Sequence, residues 1–98
     1  MPIIKPSIGR KVWFWPVNDI QIGVHDPKQA CDATVVFVHS DTLVNLSITD
    51  HSGFTHTRTS VHLHQGLVSD RPPSSCATWM PYQQGQAAKE AAPDTAAA

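Results

Sequence analysis

Alternation of apolar and polar residues is the strongest pattern in the chain, and it predicts a small antiparallel β-structure. The clearest case is residues 42–49, where Val44, Leu46 and Ile48 occupy every second position. A period of two is typical of a strand with one buried face. Similar but less regular runs predict further strands at residues 10–15, 33–39, 54–64 and 77–80.

Turn residues separate these predicted strands. Ser40-Asp41 and residues 50–53 have the composition of hairpin turns. Pro16 ends the first strand, residues 17–32 form a long irregular excursion, and the fourth strand is expected to kink near Thr59-Ser60. The pattern predicts an all-β, SH3-like, partly open barrel of five or six short antiparallel strands. An OB-like barrel is the nearest alternative, but it usually includes a helix between two strands.

The C-terminal segment, residues 85–98, differs from the rest of the chain in composition. It contains no aromatic residue and no aliphatic residue larger than alanine, so it cannot bury enough surface to offset the entropy of ordering. We therefore predict a barrel domain at 1–84 and a disordered, flexible, Ala-rich tail at 85–98, with a short helix seeded on a neighbouring segment as the alternative. A domain this small is usually marginally stable. Surplus aromatic surface at Trp13 and Trp15 predicts a homo-oligomer, with a dimer as the simplest case.

Charge and hydropathy exclude some classes of partner. The chain has 7 basic and 8 acidic residues, whereas general nucleic-acid binding requires a basic excess. No apolar run approaches the roughly 20 residues of a membrane span, and the N-terminus carries prolines where a signal peptide needs an apolar stretch. We therefore predict a soluble cytoplasmic protein that binds neither general nucleic acid nor membrane. Cys31 and Cys76 are expected to be free thiols.

No pattern in the sequence indicates catalysis or a cofactor. The chain lacks a Gly-x-Ser-x-Gly elbow, a glycine-rich phosphate loop and a pair of carboxylates placed for acid–base chemistry. His62 and His64 are predicted to project from one side of a strand, but no CxxC or HExxH motif accompanies them, and zinc needs three or four ligands. The sequence predicts a protein that is not an enzyme, with no catalytic residues, metal site or cofactor.

Aromatic residues of the first and last predicted strands provide the best candidates for a binding site. These segments are neighbours in an SH3-like barrel, and large rings with a polar edge are favoured at ligand and partner surfaces. Nearby amide and guanidinium groups could add directional hydrogen bonds. The predicted ligand-binding residues are Trp13, Trp15, Asn45, Arg58, Trp79 and Tyr82. Purely structural roles remain open for three of them: core packing for Trp79, a cross-strand bond for Asn45 and a solvated edge for Arg58.

Five short stretches follow one another along the chain: Ile8-Gly-Arg-Lys-Val12, Ala33-Thr-Val-Val-Phe-Val-His-Ser-Asp41, Val44-Asn-Leu46, Thr59-Ser-Val61 and Ala77-Thr-Trp-Met-Pro-Tyr82. In this order, over about residues 5 to 84, the chain resembles a group of small proteins encoded by tailed bacteriophages and prophages of proteobacteria. The resemblance implies a phage context, and hence the host cytoplasm or the virion as location. It implies no particular activity.

Two functional hypotheses of different classes follow. The first is a host-interaction or counter-defence protein that sequesters a small, nucleotide-like ligand or a host factor in an aromatic pocket. The alternative is a small virion or assembly component that joins phage proteins. Small size, the abundance of histidine and tryptophan, and the resemblance to phage proteins favour the first hypothesis.

Overall fold

The computed structural model describes residues 3–91, which form a closed barrel of five strands. A 3₁₀ turn at Val68–Asp70 connects the last two strands, and a helix follows the barrel. The elements are β1 (Lys11–Trp15), β2 (Cys31–Ser40), β3 (Leu43–Thr49), β4 (Thr55–His64), β5 (Cys76–Thr78) and α1 (Pro81–Ala91). The predicted small all-β barrel is confirmed, and each strand begins and ends within two residues of its predicted bounds.

Closure of the barrel depends on the short strand β5. β5 pairs antiparallel with β1, where Trp13 lies opposite Thr78. On its other side it pairs parallel with β4, through Leu63 with Ala77 and His64 with Thr78. The barrel is therefore closed where the sequence predicted a partly open one, and one of its pairings is parallel. The parallel pairing arises because residues 65–75 carry the chain across the barrel before β5 begins.

Inward-facing apolar residues form the core, and β3 supplies them as its alternation predicts. Val44, Leu46 and Ile48 are fully buried, and Trp79 and Phe14 are the largest of the fully buried side chains. Cys31, Ala33 and Val35 of β2 are buried, whereas its second half is mostly exposed. The register shifts after Val35, and β1 pairs with β2 only as far as Thr34. β2 is therefore a central strand over its first half alone.

The kink predicted near Thr59-Ser60 is present as an irregularity in the β3–β4 pairing. Ser60 has a φ of 54°, in the left-handed region that non-glycine residues seldom adopt. The register shifts between Val44 and Leu46 at the same level. The side-chain oxygen of Asn45 accepts a hydrogen bond from the Ser60 N–H at 2.8 Å. This bond satisfies a backbone donor that the bulge removes from the ladder.

The long loop at residues 16–30 covers one end of the barrel. Its Ile22 is buried in the core. On β4, Arg58 pairs with Leu46 and His56 pairs with Ile48, so both polar side chains lie on the inner face of the sheet. Buried polar groups need partners, and the loop contributes Asp19, whose carboxylate lies 2.8 Å from the Arg58 guanidinium. The loop is therefore part of the fold and closes the barrel over these polar groups.

Helix α1 alters the predicted domain boundary at Gly85. Residues 85–91, predicted as the start of a flexible tail, continue the helix that begins at Pro81. Two glutamines of its first turn attach the helix to the barrel: Gln83 donates to the Lys11 carbonyl at 2.9 Å and Gln84 to the Gly66 carbonyl at 2.6 Å. The rest of the predicted tail, 92–98, lies outside the described residues. No helix within residues 3–91 has the length and apolar character needed to span a bilayer.

Candidate functional site

Trp13 and Trp15 project from the same side of β1, opposite the buried Val12 and Phe14. Their ring centroids are 5.9 Å apart and the rings meet edge to face. Together with Lys28, Gln29 and Ala30 they line a cleft of about 250 Å³, which we call the Trp13 cleft. β1 therefore supplies the aromatic wall of this cleft, and the end of the 16–30 loop supplies the polar wall.

Trp15 is fixed in place and forms the inner wall of the cleft. Its indole N–H donates to the Thr78 hydroxyl at 3.0 Å, and the Arg71 guanidinium lies 3.8 Å from its ring centroid. Only 8% of Trp15 is exposed. Trp13 is half-buried, so its ring is the one that a ligand can reach. Beyond Trp15 a further cleft of about 170 Å³ runs between Pro27 and Pro72.

The polar wall of the Trp13 cleft is a short turn with its own hydrogen bonds. The Asp26 carboxylate accepts bonds from the Lys28 backbone N–H at 2.9 Å and from the Gln29 amide at 3.3 Å. The ring of His51, in the β3–β4 turn, connects both ends of this stretch. Its Nδ1 accepts from the His25 backbone N–H at 2.9 Å, and its Nε2 lies 3.2 Å from the Ala30 carbonyl oxygen. The cleft therefore depends on a contact with a different part of the barrel.

Trp79 and Tyr82 lie away from the Trp13 cleft. Trp79 is fully buried in the core, which is the alternative role considered for it, and its indole nitrogen has no hydrogen-bond partner among residues 3–91. The Arg10 guanidinium lies 5.1 Å from the Trp79 ring centroid. Tyr82 is 73% exposed in the first turn of α1 and lines a separate cleft of about 330 Å³ with Arg10 and Gln86.

Asn45 and Arg58 make contacts that maintain the fold. Besides the Ser60 N–H, the side-chain oxygen of Asn45 lies 2.9 Å from Nε2 of His39. Arg58 donates two hydrogen bonds to the Asp19 carboxylate, at 2.8 and 2.9 Å. These hydrogen bonds with Arg58 hold the pKa of Asp19 below its usual value. Of the predicted ligand-binding residues, the structure therefore brings only Trp13 and Trp15 together.

Three residues at or beside the cleft were not predicted. Lys28 and Gln29 line it from the loop, and Arg71 covers the Trp15 ring from the segment between β4 and β5. The Asp26-Pro27 turn marks where the loop reverses, but nothing in the sequence shows which strand the loop contacts. Arg71 is 56 positions from Trp15 in the sequence, so no local pattern links the two.

Asp50 is the centre of a polar network beside the loop. Its carboxylate lies 2.7 Å from Nε2 of His56 and accepts backbone N–H bonds from Gly23, Ser52 and Phe54. The hydrogen bond with His56, followed by those from the backbone, holds the pKa of Asp50 far below its ordinary value. Because the bonds come from the long loop, the turn and β4, the ionised carboxylate ties three segments together.

We expect the acid sensitivity of the protein to depend on Asp50. A carboxyl group with a lowered pKa in the fold stabilises it fully above its unfolded pKa, about 3.9. That contribution decreases as the pH falls below this value. Asp50→Asn should therefore be less stable at pH 7 and should lose less stability than the wild type between pH 5 and pH 2. Urea unfolding across this range would measure both effects, with the exposed Asp70→Asn as control. Equal pH dependence in wild type and Asp50→Asn would contradict this role.

The thiols and histidines of residues 3–91 are not grouped to bind a metal ion. Cys31 and Cys76 are buried and unpaired with each other, and burial raises the pKa of both thiols, which favours the less reactive protonated form. The rings of His62 and His64 lie 6.5 Å apart. Within residues 3–91 no three histidine, cysteine or acidic side chains are grouped to hold a metal ion.

The Trp13 cleft brings two of the predicted aromatic residues together beside a lysine and a glutamine. Its walls come from β1 and from the 16–30 loop, and Arg71 supports it from behind. Comparison of the chain with protein-family models gave no match, nor did comparisons with curated proteins and with solved structures.

Proposed function

We propose that the protein is a non-catalytic, phage-encoded binding protein that holds a small, planar, negatively charged ligand of the nucleotide class in the Trp13 cleft. The observation that carries this proposal is the reachable indole of Trp13 opposite Lys28 and Gln29. In the host cytoplasm the protein would sequester such a ligand, or a host factor, and so act in host interaction or counter-defence.

The aromatic wall supports a ligand with a flat ring. Trp15 is held by Thr78 and Arg71, so it cannot turn away when a ligand enters. Its neighbour Trp13 meets it edge to face, which leaves the half-buried Trp13 ring as a stacking surface. Stacking of a base on an aromatic side chain contributes about 1–3 kcal/mol and tolerates different bases. A preordered wall also reduces the entropy that binding would cost.

The cationic groups support a negative charge on the ligand. Lys28 is exposed at the cleft and forms no ion pair with any described residue. Arg71 adds positive charge in the adjoining cleft beyond Trp15 but does not line the Trp13 cleft itself. The Gln29 side chain adds an amide beside Lys28. This combination suits a phosphate attached to a planar ring.

The size of the cleft sets the expected affinity. At about 250 Å³ it is slightly below the range of about 300–1,000 Å³ typical of small-molecule sites, so a mononucleotide is the largest ligand that it would surround. A ligand with roughly 22 non-hydrogen atoms at about −0.3 kcal/mol per atom gains about −7 kcal/mol. This corresponds to a dissociation constant on the order of 10 μM.

Calorimetric titration with mononucleotides and cyclic nucleotides would test the proposal. Trp13→Ala should weaken binding by at least about tenfold, because one stacking contact is lost. Lys28→Glu should weaken it further for ligands with more negative charge. The matched controls are Phe54→Ala, which removes another exposed ring, and Lys5→Glu, which reverses an exposed charge that does not line the cleft. Both controls should bind like the wild type.

Exposed apolar side chains support the alternative of a virion or assembly component that joins phage proteins. Ile8, Ile20 and Phe54 are each more than two-thirds exposed, and such residues favour protein interfaces when they are grouped. Mass spectrometry of purified particles distinguishes the two proposals. Absence of binding by every nucleotide, together with presence of the protein in particles, would reject ligand sequestration in favour of this alternative.

A further inference from the structure

The hydrogen bonds of the His51 ring fit one tautomer of the neutral imidazole. Its Nδ1 faces the backbone N–H of His25 at 2.9 Å. A backbone N–H can only donate, so Nδ1 must carry a lone pair. Nε2 lies 3.2 Å from the Ala30 carbonyl oxygen, which can only accept, so Nε2 must carry the proton. The structure therefore accommodates His51 only as the neutral ring with its proton on Nε2.

These two hydrogen bonds enclose the polar wall of the Trp13 cleft. One bond joins the His25 backbone to the His51 ring, and the other joins the Ala30 backbone to the same ring. The residues between His25 and Ala30 include Lys28 and Gln29. Ala30 itself lines the cleft. The bonds of Asp26 stabilise the turn internally but do not connect it to the rest of the barrel. The position of the polar wall relative to Trp13 therefore depends on the His51 ring, together with the bond from the His51 backbone N–H to the Gly23 carbonyl at 3.0 Å and the pairing of Cys31 with Phe14.

We propose that protonation of His51 releases residues 25–30 from the β3–β4 turn and opens the Trp13 cleft, so that ligand binding is lost on acidification. The proposal rests on the ligand site proposed above and adds its regulation. A protonated ring carries N–H groups on both nitrogens, and the new Nδ1–H faces the N–H of His25. Two donors cannot share a hydrogen bond, so the ring must turn or the backbone of His25 must withdraw.

The ring of His25 strengthens this response. It stacks on the His51 ring with the centroids 5.9 Å apart and the planes at 20°. Its Nε2 lies 3.0 Å from the Ser52 hydroxyl, an additional contact between the loop and the turn. When both rings are charged, like charges face each other across the stack, and their repulsion acts in the same direction as the lost hydrogen bond.

The other ionisable groups on the neighbouring segments do not form the hydrogen bonds by which the His51 ring holds residues 25–30. The carboxylate of Asp50 is engaged by His56 and by three backbone N–H groups. Asp32, at the start of β2, pairs with Lys11 at 3.0 Å. The ionisable residues on the 16–30 loop, the start of β2, the β3–β4 turn and the first half of β4, apart from His51, are Asp19, His25, Asp26, Lys28, Cys31, Asp32, Asp50, His56 and Arg58. Among these, only His25 is hydrogen-bonded to the His51 ring.

An NMR titration of the full chain from pH 8 to pH 5, the range in which histidines change charge, tests the switch without ligand. The amide signal of His25 should shift with the same midpoint as the His51 ring. Acrylamide quenching of the tryptophan fluorescence should rise in parallel, because Trp13 is the most exposed of the three tryptophans. His51→Asn keeps an acceptor that cannot be protonated and should abolish both responses. His62→Asn, at an exposed histidine of β4, should leave them unchanged.

Ligand titrations at the two ends of this range then test the effect on binding. We expect AMP to bind about three- to tenfold more weakly at pH 5 than at pH 8, as expected for loss of one or two hydrogen bonds, with little change in His51→Asn. A His25 amide that does not follow His51, or a full pH response retained in His51→Asn, overturns the switch. If the amide and Trp13 respond but AMP binds at neither pH, the switch holds and the proposed ligand class fails.

Discussion

Replacement of Trp79 by alanine should lower the free energy of unfolding by about 3–5 kcal/mol, the cost typical of removing a buried tryptophan. Trp79 is fully buried and is the largest side chain in the core. It follows β5 directly and precedes α1, so it fills the barrel where the last strand and the helix meet. A domain with a total stability of about 5–15 kcal/mol would lose a large part of it. Urea unfolding monitored by circular dichroism would measure the change.

Two further substitutions separate core packing from other effects. Trp79→Phe keeps much of the ring and removes an indole N–H that has no partner among the described residues, so it should cost clearly less than Trp79→Ala. Tyr82→Ala removes an exposed ring three positions away and should change stability by no more than about 0.5 kcal/mol. Similar losses for Trp79→Ala and Tyr82→Ala would show that Trp79 does not organise the core.

The 16–30 loop should contribute to stability as strongly as a core strand does. Ile22→Ala is expected to cost about 2–5 kcal/mol, because a buried isoleucine side chain is replaced by a cavity. Ile22 is 4% exposed and belongs to the core cluster. Ile20, two residues earlier in the same loop, is 99% exposed. Ile20→Ala is therefore a control with the same chemical change in the same segment.

Chemical unfolding of both isoleucine variants provides the measurement. Ile20→Ala should remain within about 0.5 kcal/mol of the wild type. If Ile22→Ala also stayed within that limit, the loop would be a dispensable excursion and not a cover of the barrel. A large loss in both variants would indicate that Ile20 is covered in solution, as the predicted homo-oligomer would allow.

Features that depend on neighbouring residues could be predicted from the sequence. The alternation in β3 identified its buried residues, and the kink in β4 followed from a weakened pattern near Thr59-Ser60. The opposite faces of Trp13 and Val12 followed from the period of two. These features are local because the pleat of a single strand decides which way each side chain points.

Features that depend on distant partners could not be predicted. Arg58 looks like a solvated or ligand-binding residue until Asp19, 39 positions away, is placed beside it. Likewise Lys28 and Arg71 lie beside the two tryptophans because the 16–30 loop and the segment between β4 and β5, both irregular, place them there. The homo-oligomer stays a prediction, but part of its rationale is weakened because Trp15 is covered within one chain.

Helix α1 shows why composition misled at the C-terminus. Residues 85–91 have little to bury, which is why a flexible tail was predicted there. The helix instead begins at Pro81, and the amides of Gln83 and Gln84 attach its first turn to the barrel. Once that turn is formed, each further residue with good helix propensity extends it at low cost. Polar anchoring of this kind leaves no hydrophobic pattern in the sequence.

The pairing of β1 with β5 has a consequence for synthesis of the chain. β1 is made first, but Trp13 meets Thr78 only after nearly all of the barrel sequence has left the ribosome. Until β5 is made, β1 and β4 each have one edge without a partner strand. Unpaired strand edges are sites of aggregation. Non-local pairing of this kind also slows folding. We therefore expect the nascent protein to expose these two strand edges until β5 has been made.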